Sequence, residues 1–240
     1  MLKLMGDSPL WLTFFSLSLS FVAYAIALRI STWFRANPLA NPVVLAVAMI
    51  ILVLYGTDVS YQSYFAGAQA LHFFLGPATV ALAIPLAKQA HRLKRLLLPL
   101  FWSLLLGCVS SILCAFILTS WLGGSLALAI SMAPKSATTP IAMAITEALH
   151  GYPAVSAAVV ITTGIIGAII ARLVFTILHI SSLEARGFAL GVSAHGIGTA
   201  RAFQLSSELG AYAGLGMGLN GMLTAVLTPV LVPLLMRWCY

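Results

Sequence analysis

The chain has 240 residues, 61% of them hydrophobic and 7% charged, with a net charge of +7 from twelve Lys and Arg against five Asp and Glu. A soluble domain carries roughly 25% charged residues. So few charges cannot cover a water-facing surface, which excludes a soluble enzyme and a soluble nucleic-acid-binding domain. What remains is an all-α polytopic membrane protein in contact with the lipid bilayer, with its charges flanking the spans.

A membrane crossing takes about 20 apolar residues, so a chain of this length has room for about seven or eight crossings joined by short loops. It leaves no room for a separate soluble domain, and we expect a single integral membrane domain over residues 1–240.

Taken in chain order, the first apolar run covers 10–28 and includes "WLTFFSLSLSFVAYA". Ala23 and Ala25 give it some likeness to a signal peptide. The run continues to Arg29, however, and Asp7 spoils the basic leader that such a peptide needs. We therefore expect it to be the first span. Arg29 and Arg35 follow it, and the run "KQAHRLKR" occupies 88–95. Basic clusters of this kind stay on the cytoplasmic side. The second span, 42–57, then runs outward and puts Asp58 in an external loop, and segment 65–87 returns to the cytoplasm. Further continuous helices are expected at 96–119, 153–178 and 211–236.

Three segments are apolar but broken. Segment 65–87 carries "LGPAT", 125–149 carries "APKSATTP" and 184–209 carries "HGIGTAR". Each exposed backbone N–H or C=O costs several kcal/mol in hydrocarbon, so broken helices survive at membrane depth only inside protein or beside a wet cavity. The pattern suggests a central polar site. Short extramembrane loops are the plainer alternative. The half-helices "TPIAMAITEALHG" and "TARAFQLSSELG" both run from a threonine to a glutamate near a glycine. They hint at an internal repeat of the kind found in secondary transporters.

The first break offers Lys135 as a cation, with Ser136 and Thr138 as hydroxyl donors. Thr139 followed by Pro140 is expected to start a half-helix whose free N–H groups and positive dipole end face the break. All of these features attract an anion. In the second break, Gly196 and Gly198 let backbone approach a ligand, Thr199 can cap a half-helix, and His195 can donate or take a proton. Arg201 supplies a planar fork suited to a carboxylate. Together the two breaks describe a carboxylate site, with Glu147, Glu208 and Asn220 as candidates for proton coupling or support.

Plainer roles exist for each residue. Lys135 can snorkel to an interface, Arg201 can pair with Glu208, and His195 can sit hydrogen-bonded in a packed core. Glu147 and Glu208 can end helices in water, and Asn220 can serve as an interhelical hydrogen bond. A serine nucleophile at Ser136 with Lys135 as base is disfavoured, because neighbours in a helix do not face each other. No enzymatic activity is expected. Cys108, Cys114 and Cys239, with His72, His91, His150 and His179, lack metal-ligand spacing, so neither metal nor cofactor is expected. "GMGLNG" at 216–221 matches a dinucleotide fingerprint only in letters, since no strand precedes it. Gly210, Gly214 and Gly218 are read instead as a helix-packing stripe.

The motifs "APKSATTPIAMAI" and "EARGFALGVSAHGIGTARA", in this order in a chain of this length, resemble the LrgB/CidB family of bacterial membrane proteins. The likeness covers nearly the whole chain and is most specific over 130–221. Its motif residues fall on Pro134, Lys135, Ser136, Thr138, Thr139 and Pro140, and on His195, Gly196, Gly198, Thr199 and Arg201. The resemblance implies a multi-pass protein of the bacterial cytoplasmic (inner) membrane. It implies antiholin-like control of murein hydrolases, and a small holin-like partner of the LrgA/CidA type. Related pairs import pyruvate, and a plant plastid glycolate/glycerate transporter looks like a fusion of the two parts. A small monocarboxylate substrate is thus the implied ligand. Transport or a transport subunit is the main expectation and antiholin-like regulation the alternative. Self-association into a homo-oligomer is a further expected partnership.

Overall fold

In a computed structural model, residues 10–34, 40, 42–71, 73, 74, 87 and 90–239 are described. The break at "LGPAT", with Arg35, His72 and the start of the basic run at 88–89, lies outside them. The chain divides into two compact units, residues 1–81 and 82–240.

The first unit holds α1 (Leu10–Trp33), α2 (Pro42–Gly56) and α3 (Tyr61–Gly67), with α1 packed against both others. The buried positions of α1 are mostly small or hydroxylated, among them Ser16, Ala23, Ala27 and Ser31. Small residues let membrane helices approach closely without hydrophobic drive. Ala23 and Ala27 meet Ala46 of α2, and Ser20 shares a 2.7 Å hydrogen bond with the Tyr64 hydroxyl of α3. α2 and α3 are bent by 118° across a turn that contains Asp58. Asp58 is exposed and adopts φ 53°, a left-handed conformation that aspartate tolerates better than most residues, so it is a loop residue.

The second unit holds α4 (Ala90–Trp121), α5 (Leu126–Met132), α6 (Thr139–Ala148), α7 (Pro153–Ile177), α8 (Leu183–Leu205) and α9 (Ser207–Cys239). Serines open several of these helices. Ser125, Ser182 and Ser206 each accept from a backbone N–H three residues on, at 3.3, 3.2 and 3.1 Å. Three helices close with paired C-terminal hydrogen bonds and a left-handed residue. At α4 that residue is Gly123, φ 80°. At α6 and α7 it is His150 and His179, φ 62° and 53°. The Gly151 N–H reaches Thr146 O at 2.8 Å, and the Ile180 N–H reaches Phe175 O at 2.9 Å. Two of the scattered histidines thus occupy helix stops.

α8 and α9 form the most extensive packing in this unit. A Cβ on Gly187 or Gly191 of α8 would collide with the backbone carbonyls of Leu209 or Ala213. A Cβ on Gly216 of α9 would lie 2.6 Å from Phe188 O. Of the expected stripe, Gly210 packs closely, since a Cβ there would meet the Phe203 ring, but the backbone-to-backbone contact is made by glycines of α8 instead. Gly187 and Gly191 carry the G-x-x-x-G contact, while Gly218 has nothing within 4 Å.

The continuous helices expected from the sequence are present to within a few residues, apart from α4 and α9, which extend further. Among the described residues, α1, α4, α7 and α9 are long and apolar enough to cross a membrane, and α2 with α3 makes a fifth if the bent pair counts as one. The expected seven or eight crossings are not reached on this criterion. α5 and α6 are too short because the first break divides them, and α8 carries Glu184, Arg186, His195 and Arg201.

Candidate functional site

The two breaks that the sequence marks in this unit are both present. The first is a turn from Ala133 to Thr138 between α5 and α6. α6 starts at Thr139, with Thr138 at the N-cap in extended conformation and Pro140 at the second helical position. This is one residue earlier than the expected cap at Thr139. The Thr138 side chain makes no capping hydrogen bond. Proline brings no N–H to a helical turn whose N–H groups lack internal partners anyway.

The second break is a single residue inside α8. His195 has φ 38° and ψ −129°, which no α-helix accommodates. Such backbone costs a non-glycine residue of order 1–3 kcal/mol and persists only where its surroundings over-determine it. Here they do. The ring is buried and its Nε2 lies 2.8 Å from Val160 O of α7. A Cβ on Gly164 would lie 2.6 Å from the ring's Cε1, so glycine there makes room for it. Thr199 is buried and donates to His195 O at 2.8 Å.

Asn220 of α9 joins the two breaks. It is fully buried, and its Nδ2 donates to Ser136 O at 2.9 Å and to Val192 O at 3.1 Å. Ser136 belongs to the first break, and Val192 precedes the non-helical His195 by three residues. Asn220 thus supplies donors to backbone carbonyls on both broken elements. Its Oδ1 is buried without a hydrogen-bond partner among the described residues.

Lys135 and Ser136 open onto a cleft of about 910 Å³ between α4, α7 and α8. Its walls are largely apolar, with Leu100, Ile166, Ile170, Val174 and Phe188 among them. Along the cleft α4 and α8 run the same way and α7 runs oppositely. Leu96, Phe175 and Glu184 therefore lie toward one end, and Cys114, Thr163 and Ser193 toward the other. Lys135 and Ser136 sit at the latter end, held by Ser111 of α4. Lys135 Nζ donates to Ser111 Oγ at 3.1 Å, and Ser111 Oγ and Ser136 Oγ share a hydrogen bond of 2.6 Å. Among the described residues, no carboxylate lies within ion-pair distance of this ammonium.

The structure therefore brings Lys135, Ser136 and Asn220 together. It does not bring His195, Gly196, Gly198, Thr199 or Arg201 into the cleft lining. Gly196 is exposed on the far side of the kink, and a Cβ on Gly198 would meet Ala194 Cβ at 2.6 Å. Arg201 is partly buried and donates to Gln204 Oε1 at 3.0 Å. Glu147 is exposed at the end of α6, and Glu208 lies in the first turn of α9. Sequence reasoning passed over Ser111, although "VSSIL" places two hydroxyls in an otherwise apolar run. It also passed over Val160 and Val192, which act through backbone carbonyls that no side-chain pattern reveals.

Apolar helices of spanning length, and two broken elements joined at a buried asparagine, define an integral multi-pass membrane protein. The chain belongs to the LrgB-like family, whose model matches residues 20–234. It is 38% identical over 177 residues to the protein YwbG of Bacillus subtilis, covering 74% of this chain and 79% of that protein. It is 32% identical over 199 residues to the holin-like protein CidB of Staphylococcus epidermidis, covering 83% and 86%. Against the antiholin-like protein LrgB of Bacillus cereus, identity is 30% over 202 residues, covering 84% and 88%. No solved structure matches the chain significantly. The family and the apolar helices place it in the bacterial cytoplasmic membrane as a multi-pass protein.

Proposed function

We propose that the chain is the membrane component of a holin/antiholin-like system, acting without catalysis to modulate murein hydrolase export and autolysis. The names of relatives similar over most of their length support this reading: holin-like CidB and antiholin-like LrgB. A small holin-like membrane protein of the LrgA/CidA type is its partner in this reading, and copies of the chain associate with one another. The test is autolysis of a deletion strain in buffer with a non-ionic detergent, complemented by wild-type or empty vector. A change in lysis rate that the wild-type gene reverses is expected, and identical rates overturn the proposal.

A second reading is favoured by one observation, the Lys135 ammonium whose hydrogen-bonding company is hydroxyl rather than carboxylate. In this reading the chain transports a small monocarboxylate, or is a subunit of such a transporter. Lys135 neutralises the carboxylate, and whichever of Ser111 and Ser136 is not donating to the other gives it a hydrogen bond. Segments 125–149 and 184–209 are broken helices at membrane depth related by an internal repeat, which brings the count to about seven crossings. Arg201 and His195 act from the second break, with Glu147 or Glu208 as proton carriers. Uptake of labelled pyruvate, glycolate and lactate into proteoliposomes, with and without a holin-like partner, tests it. Saturable uptake lost in Lys135→Gln is the expected result. Absence of flux in every arm, from folded protein, returns the weight to the regulatory reading alone.

A further inference from the structure

The cleft at Lys135 is much larger than a three-carbon acid requires. Pockets of about 300–1,000 Å³ enclose drug-sized molecules, and this one measures about 910 Å³. Its long dimension follows α4 from Leu96 to Cys114, about 27 Å at 1.5 Å per residue. The wall residues along that length are mainly aliphatic or aromatic, from α4, α7 and α8. Three of the polar groups at the Lys135 end form a connected cluster: Lys135 Nζ on Ser111 Oγ at 3.1 Å, and Ser111 Oγ on Ser136 Oγ at 2.6 Å. The cation is thus placed at one end of an elongated apolar trough.

We propose that this cleft binds a free monocarboxylate with a medium-length or long acyl chain, its head group at Lys135 and its tail along the wall toward Phe175. The inference rests on the carboxylate reading above and adds the class of ligand. Charge complementarity selects the head. A carboxylate meets an ammonium and the one hydroxyl proton not used between Ser111 and Ser136, and the pairing is worth most where water is scarce. The apolar wall selects the tail, because each methylene moved from water to such a surface contributes about 0.8 kcal/mol. A three-carbon acid leaves most of that wall unused. The opposite end carries Ser182 and Glu184, whose 2.6 Å hydrogen bond presents a carboxylate there. Arg186 also stands at that end, 5.9 Å from the centroid of the Phe175 ring, but it is not part of the lining, whereas Lys135 is, and this assigns the head group to Lys135.

Cys114 lines the cleft beside Lys135 and is a free thiol, whereas Cys239, also free, lies at the end of α9 outside it. This supplies a test in the full-length protein in phosphatidylcholine vesicles. Modification of each cysteine by a membrane-permeant maleimide is followed by mass spectrometry, with Cys239 as the internal reference for changes in the bilayer. Decanoate is expected to slow Cys114 about tenfold, the fraction left free when ligand stands about tenfold above Kd, and to leave Cys239 unchanged. At the same concentration acetate and pyruvate are expected to protect Cys114 far less than decanoate, and decyltrimethylammonium to leave both rates unchanged. Protection is expected to disappear in Lys135→Gln and to persist in Lys135→Arg, which also reports on folding. If pyruvate protects as well as decanoate, the acyl-chain assignment fails while the carboxylate reading stands. If no acid protects and Lys135→Gln labels like wild type, both fail. If decyltrimethylammonium protects equally, or phosphatidylglycerol protects without added acid, the free-carboxylate assignment is overturned.

Discussion

Replacing Asn220 tests whether one buried amide holds both breaks in place. Its Nδ2 serves two backbone carbonyls, Ser136 O and Val192 O, in a fully buried position. Asn220→Ala withdraws both donors. Interhelical hydrogen bonds in a membrane average about 0.6 kcal/mol, while an abandoned buried acceptor costs about 1–3 kcal/mol. Two such bonds set the expected loss at about 1–3 kcal/mol, the upper part reached if no water enters. Asn220→Asp is the sharper variant, since it keeps the shape and replaces the donor with a second acceptor facing the same carbonyls. A charged carboxylate there lacks a partner, and a neutral carboxyl keeps one donor but turns an oxygen lone pair onto the other carbonyl, a repulsion alanine avoids, so the loss is expected to exceed that of alanine. Asn220→Leu fills the volume without Oδ1, whose lack of a partner already costs the wild type something. It should fall between wild type and Asp. Unfolding free energies in mixed micelles give the ranking. An Asp variant as stable as the Ala variant would refute the reasoning, because it would mean that the two carbonyls do not depend on this donor.

Other substitutions probe contacts of the same kind. Gly191→Leu drives a side chain into Ala213 O and the Met217 N–H of α9, so folded yield should collapse, with a cost above the usual 1–3 kcal/mol of overpacking. Gly218→Ala has nothing within 4 Å to meet and should be neutral or stabilising by up to about 1 kcal/mol, read by the same unfolding assay. Gly164→Ala should be costly in the wild type, since its Cβ would meet the His195 ring at 2.6 Å, but tolerated alongside His195→Gly. A double-mutant cycle with no coupling would remove the assigned role of Gly164. His150→Gly and His179→Gly relieve left-handed backbone at two helix stops and should each add about 0.5–1 kcal/mol. Loss of stability on either change would mean that the imidazole, not the backbone, matters there.

How far the sequence anticipates this depends on which atoms carry the information. The continuous helices are legible because lipid demands long apolar runs, and such runs survive in composition alone. The two described breaks are legible because Pro134, Lys135, Gly196 and Gly198 are unlike their neighbours, and the structure turns at 133–138 and at His195. The partners of those breaks are not legible, because they act through main-chain oxygens. Val160 O receives His195, and Val192 O and Ser136 O receive Asn220. Any residue at 160 or 192 would present the same carbonyl, so side-chain patterns hold no trace of it.

The same distinction explains why the residues expected at the second break do not line this cleft. Lysine, histidine and arginine near two breaks suggest one anion site only if all three side chains leave their backbones toward a common space. A helix fixes the direction of each side chain by its position around the axis, and the non-helical dihedrals of His195 reset that direction for the residues after it. Upstream of the kink, Val192 and Ser193 line the cleft. Downstream, Gly196 is exposed, Thr199 turns back onto His195 O, and Arg201 reaches Gln204. A single unusual φ thus decides which charges share a cavity. It leaves Lys135 with the hydroxyls of Ser111 and Ser136 in the cleft, and Asn220 as the side chain hydrogen-bonded to the backbone of both breaks.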